Sequence, residues 1–376
     1  MKKFFLGADN NSKLREICSG KRCGLLTSAT GIDSSGIPTY IKLSEMGALS
    51  VLFSPEHGIH SVMQDGLWSG QYTDKETGAP VFDLKGSGNP EIDKALSICD
   101  IILYDIQDVG ARFYTYIYCL TYLMEKCAEK GIPVYVLDRP DPISGNLDKI
   151  EGPVLDETEC SSSIGRYAIP TRYALTVGEF AKYINSVKGI NCELSVISCE
   201  NWSRDIYWDE TSLIWVNPSP NIPNVNCAVN YIGTCLIEAT NVSEGRGTTR
   251  PFDIIGAPFI DSRSLCENLN SIGLDGVRFT RAFFTPMFNK WQGEVCEGVQ
   301  INITDRSLYE PHKTGLYLLS ELSKFKEFSI RPESLALRYG NKDINDYINS
   351  PDRLIANEIR DIENYKHSIK DYLIYD

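Results

Sequence analysis

Short apolar runs alternate with helix-period patterns through the first half of the chain. Arg22 to Leu26 ends in a polar turn, and Ala48 to Phe53 is cut off by Ser-Pro-Glu-His-Gly. Asp100 to Tyr104 (DIILY) runs into DIQDVGAR. From Phe113 to Lys130, apolar side chains recur at 113, 116, 117, 120, 123, 124 and 127, a stripe of helical period closed by Gly131. Ile132 to Leu137 follows and stops at DRPDP. Strand, helix and strand in succession form a βαβ unit, which predicts a parallel sheet with right-handed crossovers. TVGEFAKYINSVKG reads as a further helix, with Thr176 and Glu179 spaced as a capping box, and ELSVIS as a further strand.

The rhythm changes near residue 205. The Pro/Asn-rich stretch WVNPSPNIPNVN is an irregular connection to the apolar segment Ala228 to Ile237 and then to a polar loop, NVSEGRGTTRPF. Helix-like SRSLCENLNSIG, strand-like VRFTRAFFTP and CEGVQINITD, and helix-like TGLYLLSELSKF come next. A long helix opened by Ser350-Pro351 ends the chain. The pattern predicts two unequal α/β parts.

Composition narrows the function classes. The chain of 376 residues is 42% hydrophobic and 23% charged, an ordinary globular balance, and carries a formal charge of −13 with no basic run. That argues against a nucleic-acid or anionic-membrane partner. No window reaches the ~18 consecutive apolar residues of a membrane helix. The N-terminal MKKFFLGADN turns polar too early for a signal peptide. Twelve cysteines without CxxC pairs, many in apolar contexts, read as reduced core residues of a cytoplasmic protein, and four histidines offer no metal-ligand spacing.

In a parallel open sheet, ligands bind beyond the carboxyl ends of the strands. Three predicted strands end there in titratable groups: Glu56 and His57 after the first, Asp105 and Asp108 after the second, Asp138 with Arg139 after the third. Singly, Asp108, Asp138 and Asp141 read as turn formers or caps. Together the strand ends form a cluster in which carboxylates can divide acid and base roles. The first strand turn, GLLTSATGID, lacks G-x-G-x-x-G, and no Walker A loop occurs, so no nucleotide cofactor is expected. In NVSEGRGTTRPF, two glycines flank Arg246 and imply close backbone approach, and the arginine forks suit a carboxylate ligand. Tyr114, Tyr118 and Tyr122, four residues apart, read as helix packing rather than as a sugar platform.

At these motifs the chain resembles the NamZ-like exo-β-N-acetylmuramidases, a bacterial family long listed as a domain of unknown function. FSPEHGI, DIQDVGARFYTYIYCL, VLDRPDPISG with EGPVLD, PSPNIPN, YIGTCLIEATNVSEGRGTTRPFDIIGAPFID and FTPMFNKWQGEVCEGVQINITD carry the resemblance, which runs from about residue 24 to the C-terminus. It implies a Rossmann-like parallel-sheet domain without a dinucleotide fingerprint over residues 1–205. A smaller C-terminal α/β domain would span 206–376, with the active site in the cleft between them. It also implies release of non-reducing terminal N-acetylmuramic acid from peptidoglycan fragments; the scarce histidines and the missing glycine motifs lead us to expect no metal and no cofactor. The alternative is a muropeptide-binding protein that keeps the cleft without turnover.

Carried over by motif, Glu56 and His57 are the leading catalytic positions and Glu244 the candidate second carboxylate. Asp105, Gln107, Asp108, Arg112, Asp138, Arg139, Asn221, Arg246 and Arg250 are candidate substrate-binding residues. Glycoside hydrolysis usually needs two carboxyl groups across the scissile bond. Glu56 is expected to be the acid, beside Asp105 or Asp108, and the second group to be Glu244 or one of those aspartates. The substrate's acetamido group is a further alternative. The lactyl carboxylate of the sugar calls for a cation, with Arg246, Arg250 and Arg112 as candidates. The chain departs from the family pattern in Ile59-His60-Ser61, where an Arg-Gly pair is common, and in DRPDPISG. Those changes bear on substrate preference rather than reaction class. The missing signal peptide points to intracellular muropeptide recycling.

Overall fold

A computed structural model describes residues 3–64, 70–84 and 90–376. The strands are β1 (Cys23–Thr27), β2 (Leu49–Ser54), β3 (Tyr72–Thr73), β4 (Pro80–Asp83), β5 (Ile101–Asp105), β6 (Val134–Leu137), β7 (Leu194–Ile197), β8 (Ile254–Ala257), β9 (Val277–Phe284) and β10 (Cys296–Ile303). The first seven form one sheet in the order β3-β4-β2-β1-β5-β6-β7. Every pair in it is parallel except the two-residue edge strand β3 on β4. Without β3 this is the doubly wound order of a Rossmann-like sheet, with the switch point between β1 and β5. β8, β10 and β9 make a smaller antiparallel sheet.

The helices are α1 (Asn11–Cys18), α2 (Thr39–Glu45), α3 (Pro90–Ser97), α4 (Tyr116–Lys130), α5 (Val177–Val187), α6 (Val225–Thr234), α7 (Ser262–Ile272), α8 (Pro311–Leu322), α9 (Pro332–Tyr339), α10 (Asp343–Tyr347) and α11 (Pro351–Ile369). The βαβ reading holds in β5-α4-β6. α4 buries Tyr116, Ile117, Leu120, Leu123, Met124 and Cys127 and ends at Gly131 in the left-handed region. The capping box of α5 is present: Thr176 accepts from Glu179 N, and the Glu179 side chain accepts from Thr176 N. β1 and β5 are buried throughout, as central strands covered on both faces must be. The sequence pattern predicts no strand at β4 or β8.

The chain returns to its first sheet at the end. Tyr365 of α11 donates to the Tyr173 carbonyl at 2.9 Å, and Tyr375 donates to Asp138 at 2.7 Å. Among the described residues, no helix is long and apolar enough to cross a membrane.

At the switch point, polar side chains from β1, β5 and their loops bond one another. Asp105 accepts from Thr39 Oγ1 at 2.6 Å and from Arg139 Nε at 2.7 Å, and Thr30 Oγ1 accepts from Gln107 N at 2.9 Å. Gly31 packs so closely here that a Cβ would sit 2.0 Å from Thr27 Oγ1.

Candidate active site

β2 carries the chain inward to Ser54, whose hydroxyl donates to Asp83 of β4 at 2.6 Å. Pro55 ends the strand. His57 and Gly58 then both take positive φ (73° and 76°), so the chain reverses within two residues and leaves Glu56 half-buried at the bend. A left-handed histidine is a strained conformation that its surroundings must hold. Its Nδ1 lies 2.6 Å from the Met63 carbonyl, and Met63 N donates back to the His57 carbonyl at 3.3 Å. A carbonyl only accepts, so Nδ1 carries the proton of that bond. The imidazole also meets the Tyr116 ring edge-on at 6.3 Å.

Glu56 and His57 open on a cavity of about 80 Å³. Its first-half wall comes from the turn before α4, where the Thr115 hydroxyl lies 3.5 Å from Glu56 Oε2. Tyr114 belongs to this turn and lines the cavity, whereas Tyr118 bonds the Arg112 carbonyl within the core. Phe113, Tyr231 and Phe252 stack edge to face in sequence, with centroids 4.9 and 4.6 Å apart, and form an apolar shoulder.

Charge enters from the second half of the chain through Glu238, Arg246 and Arg338. Arg246 Nη2 donates to Glu238 Oε1 at 2.6 Å, and Arg338 reaches Glu238 Oε2 through Nη2 at 2.8 Å and Nε at 3.1 Å. Burial alone would raise the Glu238 pKa, but the two guanidinium groups outweigh it and hold the carboxyl below its usual value. Arg246 sits between Gly245 and Gly247, both at φ 82°. A Cβ on Gly245 would lie 2.7 Å from the Arg250 and Ile254 carbonyls, and one on Gly247 2.6 Å from the Phe288 carbonyl. The close backbone approach expected from these glycines is therefore present.

Of the residues expected at the site, Glu56, His57 and Arg246 line the cavity. Glu244 does not. It is buried behind Arg246, with Lys290 Nζ at 2.8 Å, Arg246 Nε at 3.4 Å and Asn289 Nδ2 at 3.4 Å. Asp105 and Arg139 pair in the interior, and Gln107 bonds the Asp108 and Pro140 carbonyls. Asp108 accepts from the Tyr173 hydroxyl and Gly110 N, and burial pushes its pKa up to about 6. Asp138 accepts from Thr176, Gly178 and Tyr375, and burial likewise raises it to about 6. These strand-end groups hold loops and helix starts together in the interior and do not line the cavity. Arg112 donates to carbonyls at the end of α9. Asn221 reaches Gln64 at 3.2 Å. Arg250 is exposed over a separate groove beside Trp208 and Trp215.

Glu238 lies within the quoted segment YIGTCLIEATNVSEGRGTTRPFDIIGAPFID but is not among the residues the sequence singles out, and neither is Arg338. Glu238 follows the apolar run that ends at Ile237, where a single acid reads as a helix end, and Arg338 lies in an unremarked short helix. Among the described residues, no three His, Cys, Asp or Glu side chains converge as a metal site requires.

Comparison with known proteins places these elements in context. A family model described as exo-β-N-acetylmuramidase NamZ, N-terminal, matches residues 23–226, and its C-terminal counterpart matches 229–375. The peptidoglycan β-N-acetylmuramidase NamZ of Bacillus subtilis (strain 168) is 47% identical over 305 residues, 81% of this chain and 73% of that one. Two crystal structures of DUF1343 family proteins from Bacteroides fragilis NCTC 9343 share the fold over 100% of this chain and 99% of theirs. Their TM-scores are 0.89 and 0.81, at 29% and 28% identity.

Proposed function

Because the chain belongs to the NamZ exo-β-N-acetylmuramidase family, we infer that it is a glycosidase removing terminal N-acetylmuramic acid from peptidoglycan fragments. The observation that carries the reading at the level of residues is the cavity where Glu56 meets a wall of one carboxylate and two arginines. Its substrates are then small muramic oligosaccharides.

In this reading Glu56 protonates the glycosidic oxygen as the aglycone leaves. It is the cavity carboxyl placed on a tight turn at a strand end, and a positioned acid of this kind is worth ~10²–10⁴-fold in rate. His57 lines the cavity beside Glu56, its Nδ1 held by the Met63 carbonyl, and so fixes the bend that presents Glu56. Glu238 has both oxygens engaged by guanidinium groups, which suits a fixed negative charge rather than a group that takes up a proton. A fixed charge near the reacting sugar stabilises positive character developing at the anomeric carbon without reorganising. Glu244, one step further back, sets Arg246 from its far side.

The cytoplasm is the compartment we propose. All twelve cysteines are free and eleven are buried, an economy suited to a reducing environment. The two units we assign, residues 1–205 and 206–376, each contribute to the cavity wall.

The test is release of N-acetylmuramic acid from a MurNAc–GlcNAc disaccharide by wild type and Glu56→Gln. Release by wild type and a loss of ~10²-fold or more in the variant are expected. Binding of the disaccharide without release would overturn the enzyme reading, and full activity in the variant would move the acid elsewhere.

A further inference from the structure

Arg338 is set into the cavity wall by contacts from three directions. Glu238 Oε2 takes its Nε and one Nη2 hydrogen, at 3.1 and 2.8 Å. Ser334, one turn earlier on α9, takes Nη1 through its hydroxyl at 2.6 Å and its carbonyl at 3.3 Å. From the first half of the chain, Arg112 Nη2 donates to the Arg338 carbonyl at 3.0 Å and to the Tyr339 carbonyl at 2.7 Å. Carbonyls of a last helical turn have no partner within the helix, and a cation there also meets the negative end of the helix dipole. Arg112 therefore ties the end of α9 to the first half of the chain. Gly340 closes the helix at φ 98°, where a Cβ would stand 2.7 Å from Arg112 Nη2.

Of the donors a guanidinium carries, those on Nε and Nη1 and one on Nη2 of Arg338 are thus taken. The remaining Nη2 hydrogen has no acceptor among the described residues, although the side chain lines the cavity. Lys290, Glu244, Arg246, Glu238 and Arg338 form one continuous ion-pair chain that reaches the cavity wall.

We propose that Arg338 is a specificity-determining residue that takes the lactyl carboxylate of the terminal sugar, with Arg112 and Glu238 as its positioning residues. This rests on the muramidase reading and deepens it. The ligand chemistry is a carboxylate on a short ether arm, which N-acetylglucosamine lacks. Glu238 holds the guanidinium still, and Arg112 fixes the helix that carries it, so little freedom is lost when the carboxylate arrives.

Binding rather than turnover tests this independently of the reaction. Calorimetric titrations would compare N-acetylmuramic acid with its lactyl amide, an uncharged ligand of nearly the same shape, on wild type, Arg338→Gln and Arg338→Lys. Wild type should prefer the acid by about tenfold or more, the value of a charge-assisted hydrogen bond. Arg338→Gln should abolish most of that preference, and Arg338→Lys, which keeps the charge but not the fork, should retain part of it. Equal affinity of wild type for acid and amide would overturn the proposal without reference to any variant. An undiminished preference in Arg338→Gln would also overturn it; should that variant not fold, an undiminished preference in Arg338→Lys would do the same. A protein that prefers the acid yet releases no sugar would leave this assignment standing and remove only the muramidase reading.

Discussion

The guanidinium of Arg112 and the carbonyl of Tyr339 meet at 2.7 Å, joining positions 227 residues apart in the chain. Arg112 is fully buried, and its Nε and Nη1 have no hydrogen-bond partner among the described residues. Burial accordingly lowers its pKa. Arg112→Met would relieve that cost but leave the α9 carbonyls unsatisfied. The second effect should win, with a loss of about 1–3 kcal/mol in urea unfolding.

Gly340→Ala attacks the same junction from the other side. Alanine pays about 1–2 kcal/mol to adopt a left-handed backbone, and its Cβ would press on Arg112. A lower urea midpoint with an unchanged slope is the expected result. An unaltered midpoint would mean that the helix end can shift freely.

Arg139 and Asp105 form an ion pair in the interior, 2% and 0% exposed. Removing one partner of such a pair strands the other charge away from water. Arg139→Met should therefore cost about 3–5 kcal/mol in chemical denaturation. A double variant that also carries Asp105→Asn should recover part of this.

Asp141 gives the fold a pH dependence. Burial is the largest influence and raises its pKa to about 8, against the hydrogen bond from Ile143 N and the nearby Arg172. The unfolded carboxyl ionises near its usual value, so above that pH the native state binds the extra proton. Stability then falls as pH rises, and the decline levels off above about pH 8. Asp108 and Asp138 add the same sign up to about pH 6. Urea midpoints from pH 6.5 to 9 should drop in wild type and drop less in Asp141→Asn; parallel curves would contradict the assignment.

Glu244→Gln and Glu56→Gln separate the two glutamates of the SPEHG and SEGRG motifs. Glu244 stands behind Arg246 and compensates Lys290, whose pKa burial lowers. Its replacement should cost about 1–3 kcal/mol of stability. The loss of turnover should be smaller than the ~10²-fold expected for Glu56→Gln. The comparison needs kcat on the disaccharide and an unfolding curve for each variant.

Much of this molecule is determined by local sequence. The buried runs at Cys23–Thr27, Leu49–Ser54 and Ile101–Asp105, with the helical stripe of Tyr116–Lys130 between strands, require a parallel sheet because each signal is a period along a few residues. The SPEHG bend likewise announces Glu56, since only a chain leaving a strand end needs that turn, and the glycines around Arg246 announce a crowded loop. Tertiary structure decided the rest. Asp105, Asp108 and Asp138 share the strand-end signature of Glu56, yet neighbours distant in sequence, including Arg139, Tyr173 and Tyr375, engage them inside the protein. Glu238 and Arg338, on different helical segments, become partners 100 residues apart. No local pattern encodes such a meeting, because it depends on how α9 docks and on Arg112 arriving from the opposite half of the chain to hold it there.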